Sequence, residues 1–278
     1  MRVAAAAWEI RPAQTEEGFY SHLREFAHAA AVGVVDLLVL PELLVLELLP
    51  MHGEVLESEV PARLAVHADR LEAELAALSA EFNLLVVGGT HFRKGRAGVA
   101  NVCCASRPQG ASLHPKNRLT RYERTVWGLV PGHTLALTSD PRVGVAICYD
   151  LEFPECGRAL AEAGAVVLCA PSFTETEHGF YRVRYAAHAR ALENQVFVLH
   201  AALVGSLGRE PVPSTYGSAA VVAPPHEPFP ALGILAETPL NTEGLALAEL
   251  DFDALEACRK GGAVLNWADR GGEWRVQT

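Results

Sequence analysis

Short apolar runs recur along the chain and alternate with segments of helical period, and this alternation constrains the fold more than any other feature. The runs are Val3–Trp8, Leu37–Leu40, Leu84–Gly88, Ala100–Ala105, Val143–Ile147, Ala165–Ala170, Val196–Ala202, Ala219–Ala223 and Leu245–Leu250. They are short for helices and flanked by Gly, Pro or Asp, so they read as buried strands. Between them, Gln14–Ala31, Pro61–Phe82, Pro154–Ala163 and Gly179–Gln195 read as helices. Pro61–Phe82 has the clearest pattern: Leu64, Ala68, Leu71, Leu75, Leu78 and Phe82 form its apolar stripe, Pro61 suits its first turn and Asn83 its end. Interleaving that continues nearly to the C-terminus predicts a layered α/β fold. No shift in composition marks a linker and no internal repeat is visible, so residues 1–278 are expected to form one domain.

Composition narrows the function classes. Half of the 278 residues are hydrophobic and a fifth are charged, ample for a core and far from a disordered chain. There are 33 acidic against 23 basic residues, for a net charge of −10, and no Lys/Arg-rich stripe. Nucleic acid and anionic membrane surfaces are therefore not expected partners. The most apolar stretch, Val34–Pro50, is broken by Asp36, Pro41, Glu42 and Glu47, too often for a membrane span. The opening MRVAAAAWEIRP is apolar only briefly and suits a first strand better than a cleaved leader. Six cysteines form no CxxC pair and mostly lie in apolar runs, which suggests a reduced cytoplasmic protein without disulfides. Phosphate-loop, GxGxxG and GxSxG patterns are absent, and the eleven histidines make no HExxH or paired Cys/His spacing. His22, His28 and His67 on helices and His52 in a loop read as surface or half-buried residues. A metal site is not expected.

One segment stands apart: GVAICYDLEFPE, Gly144 to Glu155. A strand runs into Cys148, an acidic turn follows, and then a helix with Pro154 and Glu155 in its first turn. A cysteine at the carboxyl end of a buried strand points into the crevice where α/β proteins bind ligands. A helix aiming its amino end at the sulfur would favour the thiolate; inert packing is the alternative. Upstream, LLVLPELL places Glu42 at a strand terminus among leucines, where desolvation would raise its carboxyl toward the range of a general base. A turn glutamate facing water is the bland alternative. Lys116, in HPKNRLTRYE after a short strand, would by itself be a solvated charge.

Together these residues resemble the nitrilase, or carbon–nitrogen hydrolase, superfamily. Glu42 at an early strand end, Lys116 74 residues later and Cys148 a further 32 residues on, within CYDLEFPE, follow that family's order. RYERTVWGLVPG resembles the stretch between the family's Lys and Cys and makes Glu123, followed by Trp127 and Pro131–Gly132, a fourth candidate. ARALENQVFVL, YGSAAVVAPP and LAELDFDALEACR resemble the later helix, closing strands and final helix. The resemblance implies a four-layer α-β-β-α sandwich and a thiol amidohydrolase without a cofactor. In that scheme Cys148 is the nucleophile and Glu42 its base and acid. Lys116 with the Tyr149 N–H stabilises the oxyanion, and Glu123 orients Lys116 and the substrate.

CYD rather than CWE after the strand looks like the amidase branches, so a small ω-amide releasing ammonia is the favoured substrate. A nitrile, an N-carbamoyl amine, transfer to another acceptor, and a non-catalytic ligand-binding role are the alternatives. Arg182 would clamp a substrate carboxylate or serve as a helix-surface or interface charge; Tyr149 and Phe173 would line the acyl pocket or simply pack. HAALVG in the strand near Ala201–Leu203, Ala219 and the HPK triplet depart from the family pattern and bear on specificity. Relatives are usually dimers or larger, which implies a homodimer or higher homo-oligomer. Gly179–Gln195, with Tyr181, Tyr185 and Ala189, is the candidate interface.

Overall fold

A computed structural model describes residues 1–272. The chain opens with β1 (Arg2–Ile10), α1 (Glu16–Val32) and β2 (Leu37–Leu40). The helices α2 (Val60–Leu64) and α3 (Ala68–Phe82) lead into β3 (Leu85–Lys94), β4 (Val99–Arg107) and β5 (Gly110–Pro115). Next come the short α4 (Arg121–Thr125), β6 (Val143–Val145), α5 (Pro154–Glu162), β7 (Val167–Ser172), α6 (Glu177–Asn194) and β8 (Phe197–Gly205). The strands β9 (Ala220–Val222), β10 (Ile234–Glu237) and β11 (Gly244–Glu249) and the helix α7 (Phe252–Gly261) follow.

The strands join in the order β10-β9-β8-β1-β2-β3-β4-β5, with β11 on β1 and β7 between β6 and β8. Side chains alternate across a strand, and β1 separates two cores by that rule. Ala4, Ala6, Trp8 and Ile10 pack with Leu38, Leu40 and Val86 beneath α1 and α3. Val3, Ala5 and Ala7 turn the other way, with Val39 and Val87, into a core shared with β6, β7 and β8. Leu160 of α5 and Val183, Ala187 and Ala191 of α6 close that second core from outside. The layers are thus α1/α3, the β1–β5 strands, the β6–β9 strands and α5/α6, the α-β-β-α sandwich that the sequence resemblance implies. Helix entry is set by caps: Thr15 accepts from the Gly18 N–H and Thr176 from the Gly179 N–H, each at 3.1 Å.

Some expectations are corrected. Pro61–Phe82 is two helices, because Ala65–His67 tightens to a 3-10 turn. There His67 Nδ1 lies 2.6 Å from Glu16 and its Nε2 2.9 Å from His52, tertiary contacts that a continuous stripe does not reveal. His22 is buried, with Glu47 at 3.2 Å and Glu243 at 2.8 Å on its two ring nitrogens. β3 runs past Gly88 through a register shift between Val87 and Thr90. At that shift Gly89 has φ +66°, and a Cβ there would sit 2.1 Å from the Pro41 carbonyl oxygen, so only glycine lets β3 pass the end of β2. The short strand expected before Lys116 is β5, a largely accessible edge strand, and β10 at the other end of the sheet is a further, half-buried edge strand outside the expected runs. The apolar stretch after Glu42 is a buried 3-10 segment, Leu44–His52. Among the described residues, no helix is long and apolar enough to cross a membrane.

Candidate active site

Sharp backbone turns after strand ends present two of the predicted residues. Leu43, directly after Glu42, takes the left-handed conformation at φ +54°, and its N–H donates to Thr90 Oγ1 at 2.9 Å. Cys148, just past β6, is itself left-handed at φ +43°. A non-glycine residue held there carries about 1–3 kcal/mol of strain, which the surrounding packing must sustain. Lys116 follows β5 immediately; its N–H donates to the Asn101 carbonyl at 2.9 Å. Glu123 is the third helical residue of α4 in a reciprocal capping box: its N–H donates to Thr120 Oγ1 at 3.2 Å, and the Thr120 N–H to its Oε2 at 2.8 Å.

These segments converge. Lys116 Nζ donates to Glu42 Oε1 at 2.7 Å and to both Glu123 oxygens at 2.9 and 2.8 Å. Asn101 Nδ2 bridges the same carboxylates, 2.9 Å from Glu42 Oε1 and 3.1 Å from Glu123 Oε1. The other Glu42 oxygen accepts the Phe173 N–H at 3.1 Å. The Cys148 thiol donates to the Phe173 carbonyl at 3.7 Å. Glu42, Lys116, Glu123 and Cys148 are all 5% exposed or less.

Burial sets the electrostatics. It raises the Glu42 carboxyl above the usual carboxylate range, against the pull of Lys116 and with the push of Glu123. Burial acts on Glu123 too, but the Lys116 ammonium, the Thr120 N–H and Asn101 hold that carboxyl below its ordinary value. Both carboxylates overcome the desolvation of Lys116 and keep it firmly protonated. The two acids thus differ: burial prevails at Glu42 and the hydrogen-bond and charge partners prevail at Glu123.

The condition for a helix-stabilised thiolate, a helix aimed at the sulfur directly after Cys148, is not met. Cys148–Glu152 is a 3-10 turn and α5 starts only at Pro154. Burial, then the neighbouring Glu42 charge, push the Cys148 thiol well above its ordinary value, with Lys116 offsetting only part. These effects favour the thiol form of Cys148 beside Glu42.

All eight predicted positions line one cavity of about 570 Å³. Trp127 meets Phe92 and Tyr122 edge-to-face, at 5.2 and 5.0 Å. Tyr149 stands edge-on to Phe153 at 4.9 Å. The Arg182 side chain is 64% exposed at the rim, with Nε 3.6 Å from Glu152, so the surface ion-pair alternative describes its present contacts. Sequence reasoning missed Asn101 and the Phe173 backbone. Thr120 was also missed, although the T-x-x-E spacing to Glu123 is a readable capping signal. Among the described residues, no group of three His, Cys, Asp or Glu side chains is arranged to hold a metal ion.

A model of the carbon-nitrogen hydrolase family matches residues 2–260. The chain is 28% identical over 274 residues to the probable hydrolase YhcX of Bacillus subtilis, covering 97% of this chain and 53% of that protein. It therefore spans about half the length of that relative. It is 32% identical over 237 residues to an (R)-stereoselective amidase of Pseudomonas sp, covering 84% of this chain and 80% of that one. In fold it is similar to Saccharomyces cerevisiae Nit3, a member of branch 10 of the nitrilase superfamily. That superposition has a TM-score of 0.76 at 24% identity and covers 94% of this chain and 93% of Nit3.

Proposed function

The chain belongs to the carbon-nitrogen hydrolase family, and from that premise we propose that it is a cysteine amidase cleaving small linear amides to acid and ammonia through a thioester on Cys148. The observation that carries this reading is the buried Lys116 ammonium, shared by Glu42 and Glu123 at 2.7–2.9 Å, in the cavity that also exposes Cys148.

Cys148 Sγ attacks the carbonyl carbon while its proton passes to Glu42, so no free thiolate has to persist in a buried site. The carbonyl π electrons move onto oxygen. The three contacts of the Lys116 ammonium go to Glu42 once and to Glu123 twice; giving up one of the two Glu123 contacts leaves one to each glutamate and frees an N–H for the oxyanion, beside the Tyr149 N–H. Each such donor is worth about 3–4 kcal/mol in the transition state. Collapse breaks the carbon–nitrogen bond, and the proton on Glu42 goes to the departing amine. Glu42 then takes a proton from water, the hydroxide carbon–oxygen bond forms, the thioester breaks and the proton returns to sulfur. Glu123, held ionised by the α4 cap and Lys116, keeps the ammonium charged throughout. Phe173 positions the base through its N–H and the thiol through its carbonyl. Trp127, Tyr149 and Phe173 form the walls for the acyl group, and Arg182 at the rim meets a substrate carboxylate by exchanging its loose contact with Glu152. The same reading makes the stacked, exposed Tyr181 and Tyr185 of α6 a self-association face.

The test is ammonia release from a panel of ω-amides, neutral amides and nitriles by the full chain and by Cys148→Ala. The amides turn over and the variant loses at least about 10³-fold. Unchanged turnover in the variant rejects the mechanism, and release from nitriles alone rejects the substrate class.

A further inference from the structure

Asp150, two residues past Cys148, is buried at 2% exposure, yet its side chain does not face the Lys116 ammonium as a hydrogen-bond partner. Its two oxygens instead accept backbone N–H groups from the loop that carries the lysine: Asn117 to Oδ2 at 3.1 Å and Arg118 to Oδ1 at 2.6 Å. Its own N–H donates to the Ile147 carbonyl at 2.8 Å, and its carbonyl accepts the Phe153 N–H at 3.3 Å, which closes the turn presenting the sulfur. One carboxylate thus belongs rigidly to the Cys148 turn and grips the residues immediately after Lys116. The lysine's own backbone is held through the Asn101 carbonyl and the Gly132 N–H.

We infer that Asp150 is a positioning residue of the reaction: its carboxylate couples the Lys116 loop to the Cys148 turn and fixes the ammonium-to-sulfur geometry that the oxyanion requires. This rests on the amidase reading of the same site. A displacement of about 1 Å at reacting groups is enough to cost about 10²-fold in rate, and a fork of two N–H groups on one carboxylate restrains the loop in both translation and rotation. Asparagine keeps the size but offers one acceptor oxygen, and its NH₂ opposes the second N–H.

Stability and positioning can be separated here. Burial pushes the Asp150 carboxyl up to about 6, with the Asn117 and Arg118 N–H groups and Lys116 pulling it down and Glu42 pushing it up. Cys156 of α5 also senses its charge. A carboxyl raised above its unfolded value favours the fold when protonated and loses that contribution as pH rises through the folded value. Above pH 7 the ionised form is therefore a net burden on the fold, and removing its charge does not by itself destabilise the chain.

The experiment compares the full chain with Asp150→Asn at pH 8. Expected are a melting temperature within about 3 °C of the parent, a kcat lower by about 10- to 100-fold and a KM within about 3-fold. A kcat within 2-fold of the parent overturns the inference. If Asp150→Asn does not fold, Asp150→Glu decides: it keeps the carboxylate but displaces it by one methylene, a kcat lower by about 10-fold with a KM within about 3-fold is expected, and a kcat within 2-fold of the parent overturns the inference. A parent that loses activity on Cys148→Ala while Asp150→Asn keeps it sinks this inference alone; a Cys148→Ala variant that keeps activity sinks the amidase reading instead.

Discussion

Replacing Lys116 with methionine keeps the stem and removes the charge. Glu42 and Glu123 then remain at 2% and 4% exposure with Asn101 Nδ2 as a shared donor, supplemented by the Phe173 N–H on Glu42 and the Thr120 N–H on Glu123. Breaking a buried ion pair from one side costs about 3–5 kcal/mol because the remaining charge is uncompensated. The sign of the pH dependence is the sharper consequence. In the parent, the lowered carboxyl of Glu123 contributes stability above its unfolded value and loses it as pH falls. Without Lys116 both carboxyls sit above their unfolded values, so their contribution is present at low pH and drains away as pH rises. Each pH unit across such a window is worth about 1.4 kcal/mol per proton. Urea unfolding of the two proteins at pH 5 and pH 8 is the assay. The deficit of Lys116→Met should exceed about 3 kcal/mol at pH 8 and be at least about 2 kcal/mol smaller at pH 5. A deficit under about 1 kcal/mol at pH 8, or one equal at both pH values, refutes the picture of a dry, mutually dependent charge cluster.

Gly89→Ala should cost at least about 2 kcal/mol in urea unfolding and depress turnover further than that loss of folded protein explains, because its Cβ meets the Pro41 carbonyl that precedes Glu42; a variant of full stability and activity contradicts this. Arg182→Ala should leave stability within about 0.5 kcal/mol, since the pair with Glu152 is exposed and long. It should raise KM about 5-fold for a carboxylate-bearing amide but not for a neutral one, the equivalent of about 1 kcal/mol; equal KM values for both variants on both substrates remove Arg182 from the binding site.

The strands that were legible in the sequence are those buried on both faces, such as Leu37–Leu40, where a run of apolar residues ends in a turn and leaves little alternative. The same logic reached Glu42 and Cys148, because residues just beyond buried strands are the ones a layered fold displays. Asn101 was not legible. It lies inside an apolar strand, and its two carboxylate partners are 59 and 22 residues away. The break at Ala65–His67 was hidden because Leu64 and Leu71 stay in one core across it. The surroundings of Cys148 were only half legible: a helix start is visible in the string, but the depth of burial and the nearness of Glu42 are set by strands that meet only in the folded chain. Asp150 was read as part of an acidic turn, and nothing local says that its oxygens face a loop 32 residues upstream.

The most direct measurement is intact-mass analysis of the full chain quenched during turnover of a small amide, followed by peptide mapping. A covalent acyl adduct on Cys148, equal to the amide less ammonia and absent from Cys148→Ala, is the predicted result. Turnover without any adduct on rapid quenching, or an adduct carried by one of the other five cysteines, would contradict the assignment of the nucleophile.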